Sequence, residues 1–326
     1  MAGNIVVLGT GGTIAGSSSQ PGDSLGYTAG QIGIEQLLTA LPQLAQAAPG
    51  GLRAEQVAQV DSKDMDHALW GRLVQRCLVH LADADVAGLV ITHGTDTLEE
   101  TAWLLHNLLP TGKPVVLTSA MRPATALTPD GPQNLLDAVT LAAHPQARGV
   151  LAVAAGVVHG ARELTKVHPL RVDAFVSGDG GPLGWVEGGC LRWAHGQPPQ
   201  PPAPLHGMLA AHIAGGCAWP RVAIVMSHAG VDGLLVDALL AVGVDGLVAA
   251  ATGNGTLHQA LCAALLRAEQ AGVTVRVASR CVQGRMWPQE NQSWADVQAL
   301  SPVKARISLL LDLIGKRITV CGSMPQ

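Results

Sequence analysis

Four segments of this chain set hydroxyls and charges where an apolar run stops. Residues 6–16 read VVLGTGGTIAG, a greasy run that breaks at Gly9, Gly11 and Gly12 and leaves Thr13 at the tip of the turn. Residues 60–70, VDSKDMDHALW, set Ser62, Lys63 and Asp64 after a possible strand. Residues 89–105, LVITHGTDTLEETAWLL, place Thr92, His93, Gly94, Thr95, Asp96 and Thr97 between a buried strand and an amphipathic helix. Residues 159–169, HGARELTKVHP, bring Lys166 after a strand and loop. Together these types suit attack on a carbonyl. A threonine hydroxyl is a poor nucleophile by itself. A lysine partly buried beside a carboxylate can polarise or deprotonate it through a short hydrogen-bonded chain. Backbone N–H groups in a Gly-rich turn or at Thr95 can hold the oxyanion, each typically worth about 3 kcal/mol.

Each segment also has an ordinary reading. The glycines make a tight turn with an incidental threonine. Ser62 or Asp66 can cap the following helix. Asp96 or Thr97 can be an N-cap, with Glu99 and Glu100 favourable to the helix dipole. One cap needs one such residue, however, and this segment offers three hydroxyls and an acid; the surplus points to chemistry. Lys166 can be a solvated lysine, although the chain has few. Tyr27 is the only tyrosine and lies in residues 16–30, GSSSQPGDSLGYTAG, a Ser-, Gly- and Pro-rich stretch of lid-like composition. It either anchors that loop or works with Thr13. The 17–26 stretch is expected to be mobile without ligand and ordered with one. His93, at a strand end, reads as structural.

Several chemistries are disfavoured. The glycines after the first strand fail the dinucleotide fingerprint at Ile14, and no G-K-[ST] follows. No H-E-x-x-H, H-x-H or Cys/His ligand spacing is present, so no metal is expected. No G-x-S-x-G elbow occurs. Six scattered cysteines with no C-x-x-C pair read as thiols of a reduced, cytoplasmic protein, with a single disulfide as the alternative. A net charge of −4 gives no reason to expect a nucleic-acid or anionic-membrane partner. The N-terminus reads as a first core strand and not a signal peptide, and no segment has the apolar length of a membrane span.

These side chains need elements to hold them. Apolar runs at 5–8, 86–91, 115–118 and 150–155 read as strands, and 34–41, 69–81, 97–109 and 135–143 as helices. That alternation predicts an α/β fold with a mainly parallel sheet covered on both faces, and in such sheets ligands sit at the carboxyl ends of the strands. Residues 197–204, QPPQPPAP, contain five prolines and read as a stiff linker. After it come strands at 222–226, 246–251 and 273–278 and helices at 234–241, 257–270 and 302–313. The expected organisation is a larger N-terminal α/β sandwich domain (1–195), a Pro-rich linker (196–219) and a smaller C-terminal α/β domain (220–326). The length of 326 residues suits two domains.

Read together, GGTIAG (11–16), DSKDM (61–65) and HGTDT (93–97) resemble the bacterial-type L-asparaginase family, which includes the glutaminase-asparaginases. The likeness continues through 119–139, 161–175, 251–261 and 301–311 and covers essentially the whole chain in order. It implies hydrolysis of the asparagine side-chain amide to aspartate and ammonia without metal or organic cofactor, with glutaminase activity as a side reaction. Carried over residue by residue, it makes Thr13 the nucleophile with Tyr27 as its hydroxyl neighbour. Thr95, Asp96 and Lys166 form a second triad. Ser62 contacts the substrate carboxylate, and Ala120, within Ser-Ala-Met, lines the amide end of the pocket. Asn254 fits the family's Gly-Asn-Gly segment, and Glu290 is the approximate match of an acid donated by a partner subunit. The resemblance further implies a dimer or tetramer with sites between subunits.

Lys63 departs from the pattern, since a neutral residue such as Gln is common there. Like charges about 5 Å apart repel by roughly 1–3 kcal/mol, or one to two decades in affinity. A lysine facing the substrate's α-ammonium therefore predicts a high KM that Lys63→Gln would lower, and one turned to Asp61 or Asp64 would be silent. Among other readings, a non-catalytic amino-acid sensor would lose a threonine or the lysine at the chemical positions, and all five are present. An amidotransferase subunit would carry an extra N-terminal domain, whereas the motif here begins about nine residues in. A nucleotide-binding oxidoreductase lacks its third glycine.

Overall fold

The computed structural model describes residues 3–20, 22–23, 25–194, 206–287, 294 and 299–322. The chain divides into two compact units, 1–217 and 218–326. In the first unit the order is β1 (Asn4–Gly11), α1 (Ile34–Thr39), α2 (Leu44–Ala47), β2 (Leu52–Val60), α3 (His67–Ala82), β3 (Val86–Thr92), α4 (Leu98–Leu108), β4 (Pro114–Thr118), α5 (Gly131–Ala143), β5 (Gly149–Ala154), β6 (Val157–Gly160), β7 (Thr165–Lys166), β8 (Phe175–Val176), β9 (Gly184–Glu187), β10 (Cys190–Trp193) and α6 (His206–Ala214).

Among the described residues the large sheet has eight strands in the order β10-β9-β6-β5-β4-β3-β1-β2. Its right-hand part, from β5 to β2, is parallel throughout. Of these, β1, β3, β4 and β5 are near-continuous apolar runs because both faces are covered, whereas the edge strand β2 is largely polar and only partly buried. Ile5 and Val7 of β1 join the cluster with Leu135 and Val139 of α5. Alternation sends Val6 and Leu8 to the other face, and they too are buried. The chain moves outward from β1 to β2, then crosses back to β3 on the other side of β1. This 2-1-3-4-5 order reverses between β1 and β3, and a crevice opens at such a point beyond the carboxyl ends of the strands. The residues that follow β1 and β3 are Gly12-Thr13 and His93-Gly94-Thr95.

The rest of the sheet is antiparallel, so it is mixed and not parallel to its end. These strands escape a periodicity reading because they are short and joined by tight turns. Between β5 and β6, Ala155 and Gly156 both take positive φ (49° and 74°), as a two-residue hairpin turn matching strand twist requires. Gly188 and Gly189 do the same between β9 and β10. The Pro-rich run expected as a linker lies outside the described residues, and α6 begins directly after it.

Among the described residues the second unit has a sheet of three parallel strands, in order β11 (Val222–Met226), β12 (Gly246–Ala251) and β13 (Thr274–Ser279), with α7 (Leu234–Ala241), α8 (Gln259–Gln270) and α9 (Pro302–Gly322). Its core gathers Val225, Val236, Leu247, Leu261, Leu265 and Val277. The last helix runs nine residues past the expected stop at Leu313. Among the described residues no helix is long and apolar enough to cross a membrane.

Candidate active site

The site is built where β1 and β3 end. Gly11 and Gly12 have φ of 104° and 79°, a region that L side chains rarely enter. A Cβ on Gly12 would stand 2.4 Å from the Cα and nitrogen of Gly94. The two turns therefore touch backbone to backbone, and Thr13 and Thr95 are each one residue beyond that contact. A Cβ on Gly94 would in turn stand 2.4 Å from Ser62 Oγ. Three segments distant in sequence are thus packed at glycine contact distance.

Two hydroxyl-centred groups result. Thr13 Oγ1 and Tyr27 Oη share a hydrogen bond of 2.7 Å. Lys166 Nζ donates to Thr95 Oγ1 at 2.8 Å and to Asp96 Oδ1 at 2.7 Å. The Lys166 side chain is 17% exposed against 52% for Asp96, so the ammonium is withdrawn from water and the carboxylate opens to it. Lys166 lies on β7, paired with Phe175 of β8. Beneath that hairpin the buried His159 imidazole meets Ser177 Oγ at 2.6 Å.

Ser62 is buried and its Oγ accepts the Asp96 N–H at 3.1 Å, which leaves the hydroxyl its own proton to donate. Thr97 caps α4 by position only: its hydroxyl donates to the Ser62 carbonyl at 2.8 Å. Asp66, and not Ser62, caps α3, accepting from Leu69 N–H at 2.8 Å. The Gly12 N–H donates to the Val60 carbonyl at 2.8 Å, so this nitrogen of the Gly-rich turn serves the fold and is withdrawn from the expected oxyanion donors.

Lys63 is exposed and its ammonium is bonded to Asp64. That carboxylate, as hydrogen-bond partner, raises the lysine above its ordinary range. Of the two orientations left open by the sequence, the structure has the one turned to a neighbouring aspartate. Lys63→Gln is accordingly expected to change KM for the amide substrate that the sequence resemblance implies by less than about twofold with kcat unchanged, as initial-rate kinetics on both proteins would check.

Ala120 is buried in the core cluster with Ile14 and Leu135. The segment after it is held by Asp130, which accepts from Met121 and Arg122 N–H, both at 2.9 Å. Asn134 of α5 ties the neighbouring pieces together, donating to the Ser119 carbonyl at 2.8 Å and accepting from Ala155 N–H at 2.9 Å. Sequence reading singled out none of Asp130, Asn134, His159 or Ser177. The Asp-Gly-Pro at the start of α5 was the one available signal. Asn254 lies in the second unit. Its side chain donates to the Trp287 carbonyl at 3.1 Å and accepts the Trp287 N–H at 2.7 Å, so much of its amide is engaged by backbone. Glu290 lies outside the described residues.

His93 is fully buried in a chain that fixes its tautomer. Trp70 Nε1 donates to Thr101 Oγ1 (3.0 Å) and Thr101 bonds His93 Nε2 (3.0 Å). His93 Nδ1 meets the Gly94 carbonyl (2.8 Å), so the proton sits on Nδ1 of a neutral ring. Burial pulls His93 and His159 from 6.5 to about 4. Below pH 6.5 the unfolded chain takes up these two protons and the folded chain does not. This stability is therefore whole above pH 6.5 and is lost as pH falls towards 4, by up to about 3 kcal/mol per ring. Denaturant midpoints measured from pH 7 to 4 should fall, and fall less steeply in His159→Asn.

Among the described residues no group of three His, Cys, Asp or Glu is placed to hold a metal ion, and Cys77, Cys190, Cys262 and Cys281 are free thiols. The family model described as Asparaginase, N-terminal, matches residues 4–199, and the Glutaminase/Asparaginase C-terminal domain matches 221–317. The chain is 36% identical to L-asparaginase 2 of Escherichia coli (strain K12), over 95% of this chain and 88% of that one. It is also 36% identical to the glutaminase-asparaginase of Pseudomonas fluorescens biotype A, over 95% and 86% of the two chains. Among solved structures, the probable cytoplasmic L-asparaginase of Campylobacter jejuni superposes with a TM-score of 0.87 at 35% identity, covering 98% of each chain.

Proposed function

The chain belongs to the bacterial-type asparaginase and glutaminase family, and from that premise we propose that it hydrolyses L-asparagine to L-aspartate and ammonia, with L-glutamine as a slower substrate. The observation that carries this reading is the contact of Gly12 with Gly94, which sets the Thr13–Tyr27 pair beside the Thr95–Asp96–Lys166 group.

In this reading Thr13 and Tyr27 serve the attack on the side-chain carbonyl, whether the Thr13 oxygen adds to carbon itself or orients the water that does. Tyr27 exchanges the proton with Thr13. Lys166 polarises Thr95, whose hydroxyl hands a proton to the departing ammonia. Asp96, half open to solvent, meets the substrate's α-ammonium, and Ser62 donates its remaining proton to the α-carboxylate. Ala120 lines the amide end, Asn254 shapes the segment around Trp287, and Glu290 acts across subunits in a dimer or tetramer. We place the protein in the cytoplasm, on the likeness to the Campylobacter jejuni protein.

Rates of ammonia release from L-asparagine, L-glutamine and D-asparagine, measured side by side, test this. The reading requires kcat/KM to be highest for L-asparagine. Equal or greater efficiency with L-glutamine would overturn the substrate assignment.

A further inference from the structure

Tyr27 reaches Thr13 from a loop whose base is closed by the Ser17–Thr28 backbone pair (3.0 and 2.9 Å) and whose two sides are joined by the Ser18 hydroxyl, which donates to the Gly26 carbonyl at 3.1 Å. Leu25 and Gly26 N–H both bond Asp23 Oδ1 at 2.9 Å, which shapes the turn just before Tyr27. That turn is local and does not fix the loop to the body. Beyond the base, where Gly30 N–H also bonds the Gly12 carbonyl at 3.0 Å, the Ser18 side of the loop contacts the segment that follows Ala120. Thr125 Oγ1 accepts the Ser18 N–H at 2.9 Å, and the Thr125 carbonyl accepts the Gly22 N–H at 3.2 Å. In return Ala124 N–H donates to the Gly16 carbonyl at 3.0 Å. The receiving segment is itself rigid, clamped by Asp130 and by Arg122, whose guanidinium donates to Thr128 Oγ1 at 2.6 Å.

We propose that Thr125 is a positioning residue for Tyr27: its hydroxyl and carbonyl latch Ser18 and Gly22 of the loop, and through Ser18, which bonds Gly26, fix the Tyr27–Thr13 pair in working position. The claim rests on the amidohydrolase reading for its kinetic consequence and not for its structural one. The side-chain bond can be removed without disturbing the core, because Thr125 is half-buried and its carbonyl bond survives substitution.

Thr125→Val keeps the shape and removes the acceptor, and Thr125→Ser keeps the acceptor. Since Tyr27 is the only tyrosine, growth on 3-fluorotyrosine gives one fluorine reporter at the loop. Without ligand, the fluorine resonance of Thr125→Val should move from the wild-type position towards that of a solvent-exposed fluorotyrosine, and Thr125→Ser should superpose on wild type. Kinetically, a smaller closed population raises KM for L-asparagine about tenfold in Thr125→Val, with kcat within about twofold and Thr125→Ser close to wild type. A Thr125→Val spectrum identical to wild type, or a Thr125→Ser variant displaced as far as Thr125→Val, would overturn the latch. If the spectra order as expected but the wild type releases no ammonia from L-asparagine, the latch stands and the amidohydrolase reading fails.

Discussion

Thr13→Ala should lower kcat for L-asparagine by at least about a hundredfold, the scale for loss of a nucleophile or its proton partner. Thr13 is buried at the end of β1, and its hydroxyl has Tyr27 at 2.7 Å. Removing it leaves the tyrosine with nothing to exchange a proton with and leaves the carbonyl without its attacking or water-orienting group. The fold should not suffer, since the turn is built by Gly11, Gly12 and their contacts with Val60 and Gly94. Aspartate binding, which the proposed reading assigns to Ser62 and Asp96, should persist. Retention of near-normal turnover by a folded Thr13→Ala protein would remove Thr13 from the mechanism.

Lys166→Met should be about as damaging. Methionine fills similar space but donates nothing, so Thr95 Oγ1 and Asp96 Oδ1 each lose the bond they now accept. Thr95 then keeps its hydroxyl but not the cation that polarises it. Thr95→Val, which removes the hydroxyl and keeps the lysine, is expected to reach the same depth. If the two groups act as one relay, Thr95→Val with Lys166→Met loses little more than either change alone. Losses that multiply would separate the two residues into independent roles, and steady-state rates of the three proteins decide it.

The parts legible in the sequence are those where residue type and position disagree with simple packing. Residues 92–97 carried more hydroxyls than one helix cap needs, and the structure accounts for that surplus: Thr97 anchors Ser62, Thr95 meets Lys166, and Asp96 meets both lysine and solvent. The parallel strands β1, β3, β4 and β5 were legible because burial on both faces makes them solid apolar runs, whereas the largely polar edge strand β2 read only as a possible strand before Ser62. The antiparallel part was not, because strands of two to four residues have no period to read. The Gly188-Gly189 turn was a usable signal, whereas Ala155-Gly156 resembles no common hairpin pair. Side-chain direction was out of reach too. Nothing in VDSKDM says that Lys63 turns to Asp64, and nothing in SAMRPATALT says that Thr125 reaches back to Ser18. These depend on contacts between segments far apart in the chain.

The claim at the centre is that the hydroxyl pair after β1 and the lysine-bound threonine after β3 form one amide-cleaving site. The most direct measurement is a time course of ammonia and aspartate from L-asparagine by the purified protein, beside Thr13→Ala. The account predicts equimolar release of the two products by wild type and at least about a hundredfold slower release by the variant. Bound L-asparagine that is never cleaved, or equal rates from both proteins, would contradict it.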